Sequence, residues 1–233
     1  MKKPYKITYK TYFNNRLKKI PFHSQETYPL YVQVTYRQKT IFFKSAFFEM
    51  FSDTRYCVEG KCPSIEFVIE KEHLLIDYII KLHEDDFSLE RFKTAYDYYS
   101  RDLCTSTEEA CRAFITTFFT GKGLPVIGLS LSKGSKDKVL YDLLRELESI
   151  LHHDFYTSFN KALAIAPPYT LLYGFMEQYK DWPDKTLTVM EWENGDTISA
   201  FEKYIKKKHP ERNVDQIKRA VKKWLDNIYP VTN

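Results

Sequence analysis

The stretch YPLYVQVTYRQKTIFFKSAFF, Tyr28 to Phe48, carries Gln33, Thr35, Arg37 and Lys44 interleaved with aromatics. Successive side chains of a strand point to opposite faces. Leu30, Val32, Val34 and Tyr36 therefore share one face, and Tyr31, Gln33, Thr35 and Arg37 share the other. A loop of two or four residues around Gln38 and Lys39 pairs Val34 with Phe43 and Tyr36 with Ile41, so that one hairpin face is apolar. The opposite face then holds Gln33, Thr35, Arg37, Thr40, Phe42 and Lys44. A three-residue loop would flip that pairing, and RQKT lacks the Asn-Gly or Gly-Gly that suits a tight primed turn.

Working outward, ITYKTYF (Ile7 to Phe13) alternates in the same way and stops at Asn14-Asn15, the pattern of a strand and turn. Beyond CVEGKCP the period changes. Ser64 can cap a helix with Ile65, Val68, Ile69, Ile76, Ile79 and Ile80 at helical spacing. Ser88 can cap a second, with Leu89, Phe92, Tyr96 and Tyr99 on one side, and Thr107 precedes a third. GKGLPVIGLSLSKGS reads as a loop. A long helix from about Asp137 past His152 follows, then a stop at Pro167-Pro168, a helix through Met176, and a strand-like TLTVMEW. Two C-terminal helices, from about Thr197 to Lys208 and from Asn213 to Ile228, flank HPER. The second is amphipathic, with Lys218, Arg219, Lys222 and Lys223 off its apolar stripe. The expected fold class is α+β: a small antiparallel sheet over residues 1–60 and a mainly α-helical body over 61–233, with a sub-boundary near residue 105.

The 233 residues, 43% of them hydrophobic, suffice to fill a core. The net charge is only +4, but its distribution is uneven. Residues 1–60 hold 11 basic and 4 acidic groups, against 12 and 16 over residues 61–150. A positive field at the front suits an anionic partner. No apolar run approaches the roughly 20 residues of a membrane span, and MKKPYKITYK lacks the apolar core of a signal peptide. The expectation is a cytoplasmic protein without a membrane partner. Cys57, Cys62, Cys104 and Cys111 lack the usual close spacing of zinc-binding pairs and read as reduced structural thiols.

Four further constellations bear on chemistry. GLSLSKGSKDK resembles a phosphate loop, yet Gly128 and Gly134 are separated by five residues instead of four and Ser135 precedes Lys136, so a surface loop is expected. His152, His153 and Asp154 end a helical pattern, where histidines interact favourably with the dipole. Glu191, Glu193 and Asp196 offer a carboxylate cluster of the type a metal-dependent nuclease needs, although ENGD also suits a turn. The basic C-terminal helix suits a phosphate backbone, but HPER has no turn glycine. No catalytic residue, metal ligand or cofactor is assigned.

The order ITYKTYF, YPLYVQVTYRQKTIFFKS, then the helix-rich IEFVIEKEHLLIDYIIKLHEDDFSLERFKTAYDYY resembles the N-terminal arm DNA-binding domain of Bacteroidetes-type tyrosine recombinases, the integrases of phages and conjugative transposons. The resemblance spans about residues 5–103. It implies that a small sheet grips DNA and that a following helical domain grips a core site. The chain departs from the pattern where Glu26-Thr27-Tyr28 replaces the glycine ahead of the second strand. It has too few residues after Leu103 for both a core-binding and a catalytic domain. His209, Arg212 and Tyr229 lie in surroundings unlike the family's, so no recombinase activity is carried over.

A sheet face can enter the major groove, where polar side chains read base edges and cations hold phosphates. The expectation is a non-catalytic DNA-binding protein, an integrase-like accessory or truncated recombinase of a mobile element. Lys10, Arg37, Lys39 and Lys44 would neutralise phosphates, and Gln33 and Thr35 would make base contacts. The alternatives are an enzyme using the helical body around Glu191, Glu193 and His152, such as a metal-dependent nuclease, and a protein-interaction module presenting its tyrosines.

Overall fold

The structure is a computed structural model and describes residues 6–133 and 139–228. The chain divides into two units, Met1–Arg101 with Trp182–Asp184, and Asp102–Asp181 with Lys185–Asn233. The fold is α+β: the antiparallel sheet lies near the N-terminus and helices make up most of the rest.

In the first unit, β1 (Thr8–Phe13), β4 (Leu30–Tyr36) and β5 (Lys39–Lys44) form a three-stranded antiparallel sheet with β4 in the middle. A short hairpin, β2 (Ile20–Phe22) and β3 (Gln25–Thr27), is inserted between the first two strands. No alternation over three residues announces it in the sequence. It is held by tertiary packing, because Phe22 is buried and stacks on Phe48 with ring centroids 4.9 Å apart.

The β4–β5 turn has two residues, and Val34 stands opposite Ile41 and Val32 opposite Phe43. The partners are thus shifted by two residues from the expected register, which leaves the facing of β4 unchanged because the strand period is two. Arg37 (φ 49°) and Gln38 (φ 63°) both adopt the left-handed conformation of a primed turn. That conformation suits the twist of a hairpin and costs about 1–2 kcal/mol per non-glycine residue. The pairings on both sides of the sheet outweigh it.

Three helices cover the apolar face. Ser45 caps α1 (Ala46–Phe51), Ser64 caps α2 (Ile65–Leu82) and Ser88 caps α3 (Leu89–Tyr99). The last two caps are as expected. Tyr9 donates from its hydroxyl to Asp77 on α2 (2.8 Å), and Phe43 packs its ring against Tyr96 on α3 (4.6 Å). A buried polar knot ties the three helices. Ser45 donates from its hydroxyl to Glu72, and the Ala46 amide donates to the Tyr96 hydroxyl (2.8 Å). Glu72 is fully buried, and desolvation pushes its carboxyl up to about 7.

The second unit is built around α4 (Leu103–Gly121), which starts at Asp102, earlier than Thr107 suggested. Asp102 accepts from the Thr105 amide (2.9 Å) and the Leu187 amide (3.0 Å), tying the helix start to a distant segment. The stretch read as a glycine loop is α5 (Pro125–Lys133). Gly128 permits it, since a Cβ there would lie 2.9 Å from the Thr116 carbonyl oxygen on α4. The long helix expected around His152 is instead α6 (Leu140–Ile150) and α7 (His153–Leu163), interrupted by extended backbone at Leu151 and His152.

α8 (Tyr169–Tyr179) follows Pro167-Pro168 as expected. TLTVMEW is not a strand. Thr188 and Glu191 form a capping box that starts α9 (Val189–Trp192). The local alternation loses to the reciprocal cap, which satisfies two otherwise orphaned amides. α10 (Gly195–Lys208) and α11 (Val214–Ile228) end the described chain, with Ile217, Val221 and Leu225 buried on the expected stripe.

Candidate nucleic-acid interface

The sheet register fixes the outer face of the first unit. Thr8 lies opposite Thr35, Lys10 opposite Gln33 and Tyr12 opposite Tyr31. On the other side of β4, Thr35 lies opposite Thr40, Gln33 opposite Phe42 and Tyr31 opposite Lys44. Three rows result: a threonine row, a row of Lys10, Gln33 and Phe42, and a row of Tyr12, Tyr31 and Lys44. Val32 and Val34, one residue out of phase, are fully buried beneath them.

Of the six residues expected to contact DNA, Lys10, Gln33, Thr35 and Lys44 share this face. Arg37 does not. The two-residue turn places it at the hairpin tip, where its guanidinium lies 5.0 Å from the centre of the Tyr36 ring. Lys39 opposes Tyr36 and has the facing of Val34 and Ile41, but it is exposed because it stands at the strand end. The expected polar face is therefore a face and a tip. Lys44 has an exposed ion pair with Glu49 at 3.2 Å, and the Lys10 ammonium sits 5.4 Å from the Tyr12 ring centre. Exposed pairs of this kind contribute at most about 1 kcal/mol and yield readily to a stronger anion.

Phe42 is the residue whose role the alternation missed. It is 57% exposed in the middle row, beside Gln33. A large apolar side chain there has no function in the core. Its presence on the polar face is readable in the alternation, but its openness is decided by the tertiary structure.

The alternative sites come apart. Glu191 is held in its capping box and by Lys180 at 2.6 Å, while Glu193 ends α9 and Asp196 begins α10. His152 precedes α7 and His153 begins it, so these histidines sit at a helix start instead of the expected helix end. His153 lines a cleft of about 890 Å³ in the second unit together with His209 and Arg212. His209 closes α10, with Nε2 3.4 Å from the Tyr204 hydroxyl, and burial lowers its pKa. Tyr229, the notional nucleophile, lies outside the described residues, as do Gly134, Ser135 and Lys136 of the phosphate-loop reading. On α11, Arg219, Lys222 and Lys223 are exposed, while Lys218 pairs with Glu202.

The cysteines divide into two kinds. Cys104 and Cys111 are free and buried, with thiol pKa values pushed up by desolvation. Cys57 and Cys62 are instead joined as a disulfide, correcting the expectation of reduced thiols at that pair. No helix among the described residues is long and apolar enough to cross a membrane. No family model matches the chain, and neither the curated proteins nor the solved structures contain a match to it.

Proposed function

We propose that the protein binds duplex DNA without cutting it, through the outer face of the β1–β4–β5 sheet and the tip of its hairpin. The observation that carries this reading is the middle row, where Lys10, Gln33 and Phe42 lie side by side, with Lys10 and Phe42 exposed and Gln33 half-buried. Those three chemistries match what a groove presents. A lysine holds a phosphate, a glutamine amide can bond adenine at two positions, and an aromatic edge can meet a thymine methyl group. Lys44 at the end of the face and Arg37 and Lys39 at the tip extend the cationic track. The resemblance of the sheet and following helices to integrase arm domains supports the same reading, in which the protein would serve as an accessory factor of a mobile element.

Electrostatics makes the proposal quantitative. Four cations engaging four phosphates give a logarithmic salt slope of about −3 to −4, since each neutralised phosphate contributes about −0.9. Titration of fluorescent duplex DNA across a salt series measures that slope. The sheet reversal is Lys10→Glu with Lys44→Glu, and the charge-reversed pair Lys222→Glu with Lys223→Glu on α11 serves as its control, because it removes equal charge from the other unit. Binding that survives sheet reversal but fails on α11 reversal would overturn the assignment.

A further inference from the structure

Among the described residues, one trio of His, Cys, Asp or Glu side chains brings its ligand atoms within 4.8 Å of one another: His23, Cys57 and Cys62. Three separate pieces of local structure produce it. Val58 and Lys61 exchange two backbone hydrogen bonds of 2.9 Å across a turn formed by Glu59 (φ 51°) and Gly60 (φ 77°). The residues flanking that bridge, Cys57 and Cys62, are thereby set with their Cα atoms 4.2 Å apart. His23 occupies the β2–β3 turn at φ 55° and is packed edge-on against Phe22, with centroids 4.5 Å apart. Its Nδ1 lies 3.5 Å from the Cys57 sulfur.

That last distance has a geometric meaning. Zn–S and Zn–N bonds of about 2.3 and 2.0 Å at a tetrahedral angle separate sulfur from nitrogen by about 3.5 Å. The imidazole and the Cys57 sulfur already span one edge of such a tetrahedron. The Nε2 atom of His23 is buried, which leaves Nδ1 as the ring nitrogen facing the sulfurs.

We propose that reduction of the Cys57–Cys62 disulfide converts this corner into a site for a thiophilic d10 cation, zinc, bound by two thiolates and the His23 imidazole with a water in the fourth position. The reductant is a dithiol. Its two sulfurs become joined as the Cys57–Cys62 bond breaks, and its two thiol protons pass to the cysteine sulfurs. Zinc then displaces those two protons to solvent and binds the resulting thiolates. The disulfide and the metal are mutually exclusive, because the S–S bond engages the electron pairs that zinc needs. The site is independent of the DNA-binding reading and uses none of its residues.

The test uses the full chain, oxidised or reduced with a dithiol that is then removed anaerobically, and titrated with Zn2+ and with Co2+ as a spectroscopic reporter. The expected result is one zinc per reduced chain and the visible bands of tetrahedral thiolate-bound Co2+, neither of them in the oxidised chain. Cys57→Ser with Cys62→Ser should abolish both. His23→Asn retains both thiols and tests the third ligand without removing a disulfide partner, and should weaken zinc at least about tenfold. Equal zinc uptake by oxidised and reduced chains, or by the reduced wild type and the double serine variant, would overturn the proposal. So would a His23→Asn protein, folded by circular dichroism, that binds zinc as tightly as the wild type.

Discussion

Thr35 and Thr40 face each other across β4 and β5 with their hydroxyl oxygens 2.9 Å apart, on the side of the sheet opposite the buried Val32 and Val34. The pair locks the hairpin next to its two-residue turn. With that register in place, Gln33 and Lys10 open outward and Val34 closes inward. A slip of one residue would reverse all of them.

Reversal of charge on the outer face should remove DNA binding while leaving the fold. Lys10 and Lys44 are exposed, and the exposed ion pair of Lys44 contributes little to stability. Lys10→Glu with Lys44→Glu is expected to lower affinity at low salt by more than tenfold and to reduce the salt slope by about 2. Fluorescence titration reads both quantities. Unchanged affinity would remove the sheet face from consideration.

The hairpin tip offers a stabilising substitution. Arg37 and Gln38 hold positive φ angles that Asn and Gly adopt at much lower cost. Arg37→Asn with Gln38→Gly should raise stability by about 1 kcal/mol, read as a higher urea midpoint. The same variant removes a tip cation, so a modest loss of DNA affinity should accompany the gain. By contrast Val34→Ala, at a fully buried position, should cost about 1–3 kcal/mol.

Glu72 should make stability fall as pH rises. Its folded carboxyl titrates at about 7, whereas the unfolded one returns to an ordinary value of 4.5. A raised folded pKa means that the protonated native form is the favoured one. Its stabilisation is complete below pH 4.5, declines between 4.5 and 7, and is lost above. The decline amounts to about 3 kcal/mol if no other group intervenes. Urea midpoints at about pH 5 and about pH 8 should differ less in Glu72→Gln than in the wild type. Equal differences in the two proteins would mean that Glu72 is ionised throughout.

The second unit depends on a buried ion pair. Arg112 donates from Nε to the Glu108 carboxylate (2.9 Å) and from Nη1 to the Leu131 carbonyl oxygen (2.6 Å). The same carboxylate lies 3.4 Å from the Leu140 amide at the start of α6, whose flanking Val139 supplies no cap. Arg112→Met leaves Glu108 buried without its counter-charge and should cost about 3–5 kcal/mol. Adding Glu108→Gln should recover part of the loss. Thermal unfolding of the single and double variants measures the difference.

What local chemistry alone determines in this protein is the alternation of β4, the serine caps at Ser64 and Ser88, and the stripe of α11. Each depends on residues a few positions apart, and each is legible as a string. Packing decided the rest. Whether PVIGLSLSK is loop or helix turns on Gly128 meeting Thr116; the cap between Thr188 and Glu191 that makes TLTVMEW a helix start is itself local, a Thr-x-x-Glu box legible in the sequence that its alternation obscured. The place of Arg37 depends on a turn whose strained angles only the paired strands can enforce. His23 meets Cys57 because a hairpin of two three-residue strands is pressed onto α1 by Phe22 and Phe48. Thirty-four positions separate that histidine from its cysteine, and no spacing rule spans such a gap, because burial brings them together and the chain between them does not.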